Sequence, residues 1–329
     1  MISRVADGCF WLGRYLERAE STARLLATTR ALALDGELPH MQAWSSVLGV
    51  AGEQPFFIAR HGEAAQADGE LVQHTMTWDR KAATCIAGSV AAARENGRSV
   101  GEVLSGDVWE SINELYLWLS SESAEREFAE SRDGFYRRVR DSVQLSLGLM
   151  RSTMLHDEPL DFAWLGLLLE RVGQTARILD VHHHAFSHRP PGQHARETGV
   201  WTSLLYAVSA YEAYLRAHAG FVEADTVARF LVLDERFPRS VRYGVTAALE
   251  RLRSLRPRAQ PELPGREAES RLASLDAWVR SLDALAPADV HDVLTRVVVE
   301  TSDACDAIGR ELLGYGASAP AQRQEQTSA

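Results

Sequence analysis

Two stretches decide the fold: Trp11–Leu26, WLGRYLERAESTARLL, and Trp164–Leu179, WLGLLLERVGQTARIL. Ten of their sixteen positions are identical: Trp, Leu, Gly, Leu, Glu, Arg, Thr, Ala, Arg and Leu. At ~100° per residue on a helix, the shared residues sort into three sectors. Leu12, Leu16, Ala23 and Leu26 form an apolar face, flanked by Trp11, Arg18 and Thr22 on one side and Gly13, Glu17 and Arg24 on the other. In the second copy Leu165, Leu169, Ala176 and Leu179 form the face. Trp164, Arg171 and Thr175 then oppose Gly166, Glu170 and Arg177. Two shorter echoes follow in the same order: Trp44–Leu48 with Trp201–Leu205, and Arg98-Ser99-Val100 with Arg239-Ser240-Val241. Collinear repeats of this kind point to a duplicated unit of about 150 residues.

The rest of the chain is helical in pattern. Cys9–Leu34, Glu125–Met154, Phe162–Ala185, Val200–Ala219 and Val290–Leu313 carry apolar residues at three- and four-residue spacing, and no stretch alternates as a half-buried strand would. Breaks are expected at Gly36–Pro39, Gly52–Pro55, Gly62–Gly69, Arg189–Gly192 and Pro257–Pro264. Asp161 is placed as the N-cap after Asp157-Glu158-Pro159, and Pro238 as the first residue of a helix with Arg239 in its first turn. The expected fold is all-α, a duplicated bundle of ten to twelve helices. Its halves, about 1–153 and 154–316, are related by a pseudo-two-fold, and a disordered polar tail covers 317–329.

Composition removes several classes of chemistry. The 329 residues include 35 Lys and Arg, of which only Lys81 is a lysine. It has no glycine-rich loop before it, so there is no P-loop, and a Schiff-base mechanism has one candidate. A net charge of −10 argues against a general nucleic-acid footprint. No apolar run reaches the ~18 residues of a membrane span. The first residues are too polar for a signal peptide, and Cys9, Cys85 and Cys305 are too far apart for a disulfide framework or a metal pair. A cytoplasmic protein without cofactor or metal is expected. His182-His183-His184, with His188 and His194, reads as a helix-end cluster. Asp157–Asp161 is interrupted by Pro159 and lacks a second acidic motif; the clustered arginines at 137–140 and 251–258 read as solvated faces, the second run equally as a dock for an acidic partner.

The Glu-Arg pairs carry the most information. Adjacent residues on a helix point ~100° apart, so each pair needs partners elsewhere. The helix from Phe162 to Leu169 is apolar nearly all round and should be buried. An unpaired Glu170 or Arg171 there would cost several kcal/mol, of order 3–5. The simplest arrangement is crossed, Glu17 with Arg171 or Arg177 and Glu170 with Arg18 or Arg24. Such a lattice can lock two helices, seat an anionic group on its arginines, or supply Glu17 or Glu170 as an acid. Arg239 is expected to be held by a carboxylate or an anion.

Several segments resemble the alpha-E family, a helical domain named for its Glu-Arg motif. They are Arg14–Glu20, Arg94–Arg98 with Trp109-Glu110 and Asn113, Leu169-Glu170-Arg171 with Gln174–Asp180, and Phe237–Val241. The likeness runs from about residue 3 to 314. It departs at Val172-Gly173, where the family tends to have Ala and an acidic residue. Gly173 is expected to loosen that helix and to withdraw any role of the acidic position. The resemblance implies work beside a circularly permuted ATP-grasp ligase, with transglutaminase-like proteins as further associates. In that setting the chain would be an accessory subunit positioning a peptide or anionic substrate. The alternatives are an enzyme in its own right, with Glu17 or Glu170 as acid/base and an arginine clamp, and a purely structural interaction module.

Overall fold

The computed structural model describes residues 3–34, 39–186, 194–218, 222–256, 263–282, 285–286 and 289–315. Among these there are fifteen α-helices, one 3-10 turn at Glu63–Ala67 and no strand. The helices are α1 (Ser3–Leu34), α2 (His40–Ala51), α3 (Gln54–His61), α4 (Gly69–Trp78), α5 (Ile86–Ser99), α6 (Gly106–Leu119), α7 (Glu122–Glu130) and α8 (Arg132–Thr153). They continue with α9 (Glu158–Phe186), α10 (His194–Ala207), α11 (Tyr211–Ala217), α12 (Ala224–Leu233), α13 (Val241–Leu255), α14 (Arg266–Arg280) and α15 (Val290–Glu311). The tail from 317, the Arg189–Gly192 loop, Pro257 and Pro261 lie outside the described residues, as do the side chains of His183, His184, His188 and His194.

Fifteen helices exceed the expected ten to twelve, in part because two long segments each divide. Glu125–Met154 breaks at the extended Ser131, which folds α7 back so that Phe128 meets Phe135 with ring centroids 5.1 Å apart. Val200–Ala219 breaks where Ser209 adopts a φ of 52°, in the left-handed region that ends helices. Two capping expectations also shift. α9 begins at Glu158 with Pro159 in its first turn, where no N–H is needed, so Asp161 is inside the helix and pairs with Arg251 at 2.8 Å. α13 begins at Val241 because the Ser240 hydroxyl accepts from the Tyr243 N–H at 3.1 Å. Arg239 therefore precedes the helix.

Packing is organised on α1 and α9. Against α1 lie α5 and α8, and α6 bridges those two; against α9 lie α13 and α15, bridged by α14. Both α2 and α10 touch both central helices. The apolar residues of the two repeated segments, Leu12, Leu16, Ala23, Leu26, Leu165, Leu169, Ala176 and Leu179, are all buried. This follows from a period of three and four that keeps them on one side.

Where α1 meets α9 the backbones nearly touch. A Cβ added to Gly13 would sit 1.9 Å from the Ala163 carbonyl oxygen, and one added to Gly166 would sit 2.1 Å from that of Phe10. Both contacts are below any real approach, so only glycine fits. Substituting Gly13→Ala or Gly166→Ala must push the helices apart. Urea denaturation should report a loss of ~3 kcal/mol or more. Gly148→Ala, with nothing within 4 Å, should instead gain ~0.5–1 kcal/mol as an exposed helical position.

Candidate functional site

The repeated Glu-Arg pairs meet across this crossing in a reciprocal pattern. Glu17 accepts from Arg171 Nε at 3.0 Å and Nη2 at 2.6 Å. Glu170 accepts from Arg18 Nε at 2.8 Å and Nη2 at 3.1 Å. Both pairs are bidentate, the geometry that the guanidinium fork favours. A second reciprocal contact lies one turn further along. Thr22 Oγ1 donates to the Thr84 carbonyl at 3.2 Å, just before the cap of α5, and Thr175 Oγ1 to the Arg239 carbonyl at 3.0 Å, just before the cap of α13.

Around Glu17 the site is sealed. Arg239 bridges two carboxylates, reaching Glu17 at 2.7 Å and Glu20 at 2.8 Å. Arg24 joins Glu20 from the next turn of α1. Glu17 and Glu20 are fully buried; Arg171, Arg239 and Arg24 keep a little over a tenth of their side chains exposed and do not line the cleft described next. Burial works to raise the Glu20 pKa, but Arg239 and Arg24 outweigh it and hold the carboxyl well below its ordinary range.

Around Glu170 the same motif lines a cleft of about 960 Å³ between α1, α9, α15 and the start of α5. Arg14 adds a second ion pair to Glu170 at 2.8 Å, with its guanidinium 4.7 Å from the centre of the Trp11 ring. Arg177, one turn beyond Gly173, faces the same space. Among the described residues Arg177 makes no ion pair. Burial pulls its pKa down to about 10, and the positive Arg18 and Arg14 act in the same direction against the attraction of Glu170. Arg80, Asp303 and Asp306 also line the cleft, with Asp303 paired to Arg271 at 3.2 Å. At the mouth, Trp11 Nε1 donates to the Tyr315 hydroxyl, which donates to Asp7, each at 2.5 Å.

Chemically this cleft favours binding over proton transfer. Burial alone would raise the Glu170 pKa, but Arg18 and Arg14 drive it far below the usual carboxylate range. A carboxylate held that firmly ionised neither donates nor accepts a proton readily near neutrality. The Cys305 thiol is raised by burial, away from the thiolate form a nucleophile needs. Among the described residues no group of three His, Cys, Asp or Glu is placed to hold a metal. No described helix is long and apolar enough to cross a membrane.

The structure brings Glu17, Arg18, Glu170, Arg171 and Arg239 into one network. Arg24 reaches Glu20 rather than Glu170, because it lies on the same helix one turn from Glu20. Arg177 turns into the cleft rather than to Glu17. Arg98 does not join: it ends α5, largely exposed, and pairs only with Glu95. The echo linking it to Arg239 is a coincidence of letters, because the hydroxyl contacts pair Arg239 with Thr84. The arginine of that segment that packs inward is Arg94, held by Asn113 at 2.7 Å over the Tyr116 ring. Arg14, Glu20 and the α15 wall are not among the site residues that the sequence points to. The signal for Glu20 was present in its mismatch with Gly173, but the α15 residues carry none.

A family model for Alpha-E, "a predicted alpha-helical domain with a conserved ER motif", matches residues 1–313. The chain belongs to this family. It is similar to uncharacterized proteins of Mycobacterium bovis and Mycobacterium tuberculosis, each 23% identical over 283 residues. These matches cover 82% of this chain but 30% of each relative, so the chain spans under a third of their length. No solved structure matches.

The depressed carboxyls set an acid limit. Glu170 and Glu20 have folded pKa values below their ordinary 4.5. Their stabilisation is complete above pH 4.5 and is lost as pH falls below it. Thermal melts should give a plateau near neutrality and a falling Tm between pH 4.5 and 2; a flat Tm across that window would contradict the ion-pair account. Glu17→Ala, which leaves Arg171 and Arg239 without a shared carboxylate, should cost ~3–5 kcal/mol in denaturant unfolding.

Proposed function

We propose that this Alpha-E chain is a non-catalytic helical accessory of an ATP-grasp-type amide ligase system, holding an anionic, peptide-like substrate in its arginine cleft. The observation that carries this reading is the charge arrangement around Glu170. Three guanidiniums, Arg14, Arg18 and Arg177, converge in an open space of about 960 Å³ on one buried carboxylate. Arginine clusters of this kind recognise carboxylate or phosphate. Length supports the accessory role: each mycobacterial relative carries more than two thirds of its chain outside the match, room for further domains beside an Alpha-E unit. A circularly permuted ATP-grasp ligase is the partner the resemblance favours, with a transglutaminase-like protein as a further associate. Its need for ATP gives the pair a cytoplasmic setting.

The same reading takes the chain as a single domain, 1–316, built by duplication, with halves meeting between α8 and α9. The reciprocal glycine contacts, the crossed Glu-Arg pairs and the matched threonine bonds support that origin. So does the matching arrangement of α5 and α8 on α1 with α6 bridging them, and of α13 and α15 on α9 with α14 bridging them. An enzyme using Glu17 or Glu170 as acid/base is the weaker reading, since Glu17 is sealed and Glu170 is pinned in its ionised form.

Two measurements test the accessory role. The chain should co-purify with a circularly permuted ATP-grasp ligase from the same cell, and adding it should raise the ligase's turnover on a peptide acceptor. Arg18→Ala, which unclamps Glu170, should lose most of that stimulation. Unchanged turnover with and without the protein would end the proposal.

A further inference from the structure

Within the repeated segments the two ends of the α1–α9 network share their Glu-Arg pair and a second arginine, and differ in the carboxylate beside that arginine. Along the repeated segments Glu17 matches Glu170, Arg18 matches Arg171 and Arg24 matches Arg177. Glu20, however, matches Gly173. In the sealed cluster Arg171, Arg239 and Arg24 share two carboxylates, Glu17 and Glu20. In the cleft Arg14, Arg18 and Arg177 surround Glu170 alone. Next to its guanidiniums the cleft is thus one carboxylate short, and the arginine without an ion pair there is the counterpart of the one that Glu20 holds.

We propose that a ligand carboxylate completes the cleft by seating on the cleft-facing side of Arg177, supplying the counter-charge that Glu20 supplies to Arg24 in the sealed cluster. This rests on the anion-binding reading above and names the group recognised. Gly173 lets the Arg177 guanidinium lie down over the helix, its Nη atoms 3.4 and 3.5 Å from where a Cβ would stand. The other side of the guanidinium borders the cleft, and the room for a carboxylate is there. The lowered pKa of Arg177 has the same origin, a buried cation among cations with too little counter-charge.

The surrounding residues narrow the ligand to a peptide-type carboxylate, a glutamyl side chain or a free C-terminus. Phe10, Trp11, Tyr15 and Leu169 give the cleft apolar walls suited to an aliphatic stem. Asp303 and Asp306 stand on the α15 side, where a multiply charged phosphate ester would meet more repulsion than a singly charged group.

The test is calorimetric titration of the full chain with the singly charged α-amide of N-acetyl-L-glutamate and, separately, inorganic phosphate, together with melting curves of three variants. Wild type should bind the carboxylate probe saturably and more tightly than phosphate. Arg177→Gln should weaken that binding about tenfold or more, the loss of a charge-assisted pair. Gly173→Glu should abolish it and raise Tm above Gly173→Gln, a comparison that cancels the helix-propensity gain common to both. No binding by wild type, tighter binding of phosphate, undiminished binding by Arg177→Gln, or equal Tm for the two Gly173 variants would each overturn the seat. The titration uses no ligase. Ligase stimulation that persists without binding removes only the seat, and binding without stimulation removes only the accessory role.

Discussion

At the crossing of α1 and α9, Gly13 lies against the Ala163 carbonyl and Gly166 against that of Phe10, at distances that exclude any side chain. That approach sets everything that follows. With the backbones so close, long side chains one to two turns further along span from one helix to the other. Glu17 and Glu170 can then each take the bidentate fork of the opposite helix. The flanking helices pack on α1 and α9 and inherit their placement.

Burying this much charge is not in itself a source of stability. Desolvation offsets most of the attraction in a buried pair, and the large effect appears only when one partner is removed. The crossed pairs therefore act chiefly to specify how the helices dock: any slip along the crossing would strand a carboxylate and a guanidinium together. In the sealed cluster this role is complete, with Arg239 bridging Glu17 and Glu20 from the segment before α13. In the cleft the same lattice is left open, because Gly173 contributes no carboxylate and Thr84 stands where the sealed cluster has Arg239. One set of interactions thus locks the fold at one end and leaves positive charge facing a cavity at the other.

That asymmetry favours a binding role over a catalytic one. Glu170 is buried between two arginines that keep it ionised, which suits an orienting group and defeats a proton donor. The cleft draws on α1, α5, α9 and α15, so any shift between the bundle around α1 and the bundle around α9 would change its width.

The sequence by itself determined the helical class, because apolar residues recur at three and four, and it narrowed which residues could meet. The repeat of Gly, Glu and Arg at fixed spacing forces partners from another helix, and the crossed pairing of Glu17 with Arg171 and Glu170 with Arg18 was among the arrangements it allowed. It also held the mismatch of Glu20 and Gly173. Its limits were local and spatial. Ser131 and Ser209 break helices whose periodicity continues through them, since tertiary contacts such as Phe128 on Phe135 reward the turn. Arg98 and Arg239 look alike in sequence and differ in place, because likeness of three letters carries no register. Only the tertiary structure decided which Glu-Arg pair is sealed and which faces a cleft. That depends on the wall supplied by α15, more than a hundred residues from either motif, and no spacing within α1 or α9 encodes it.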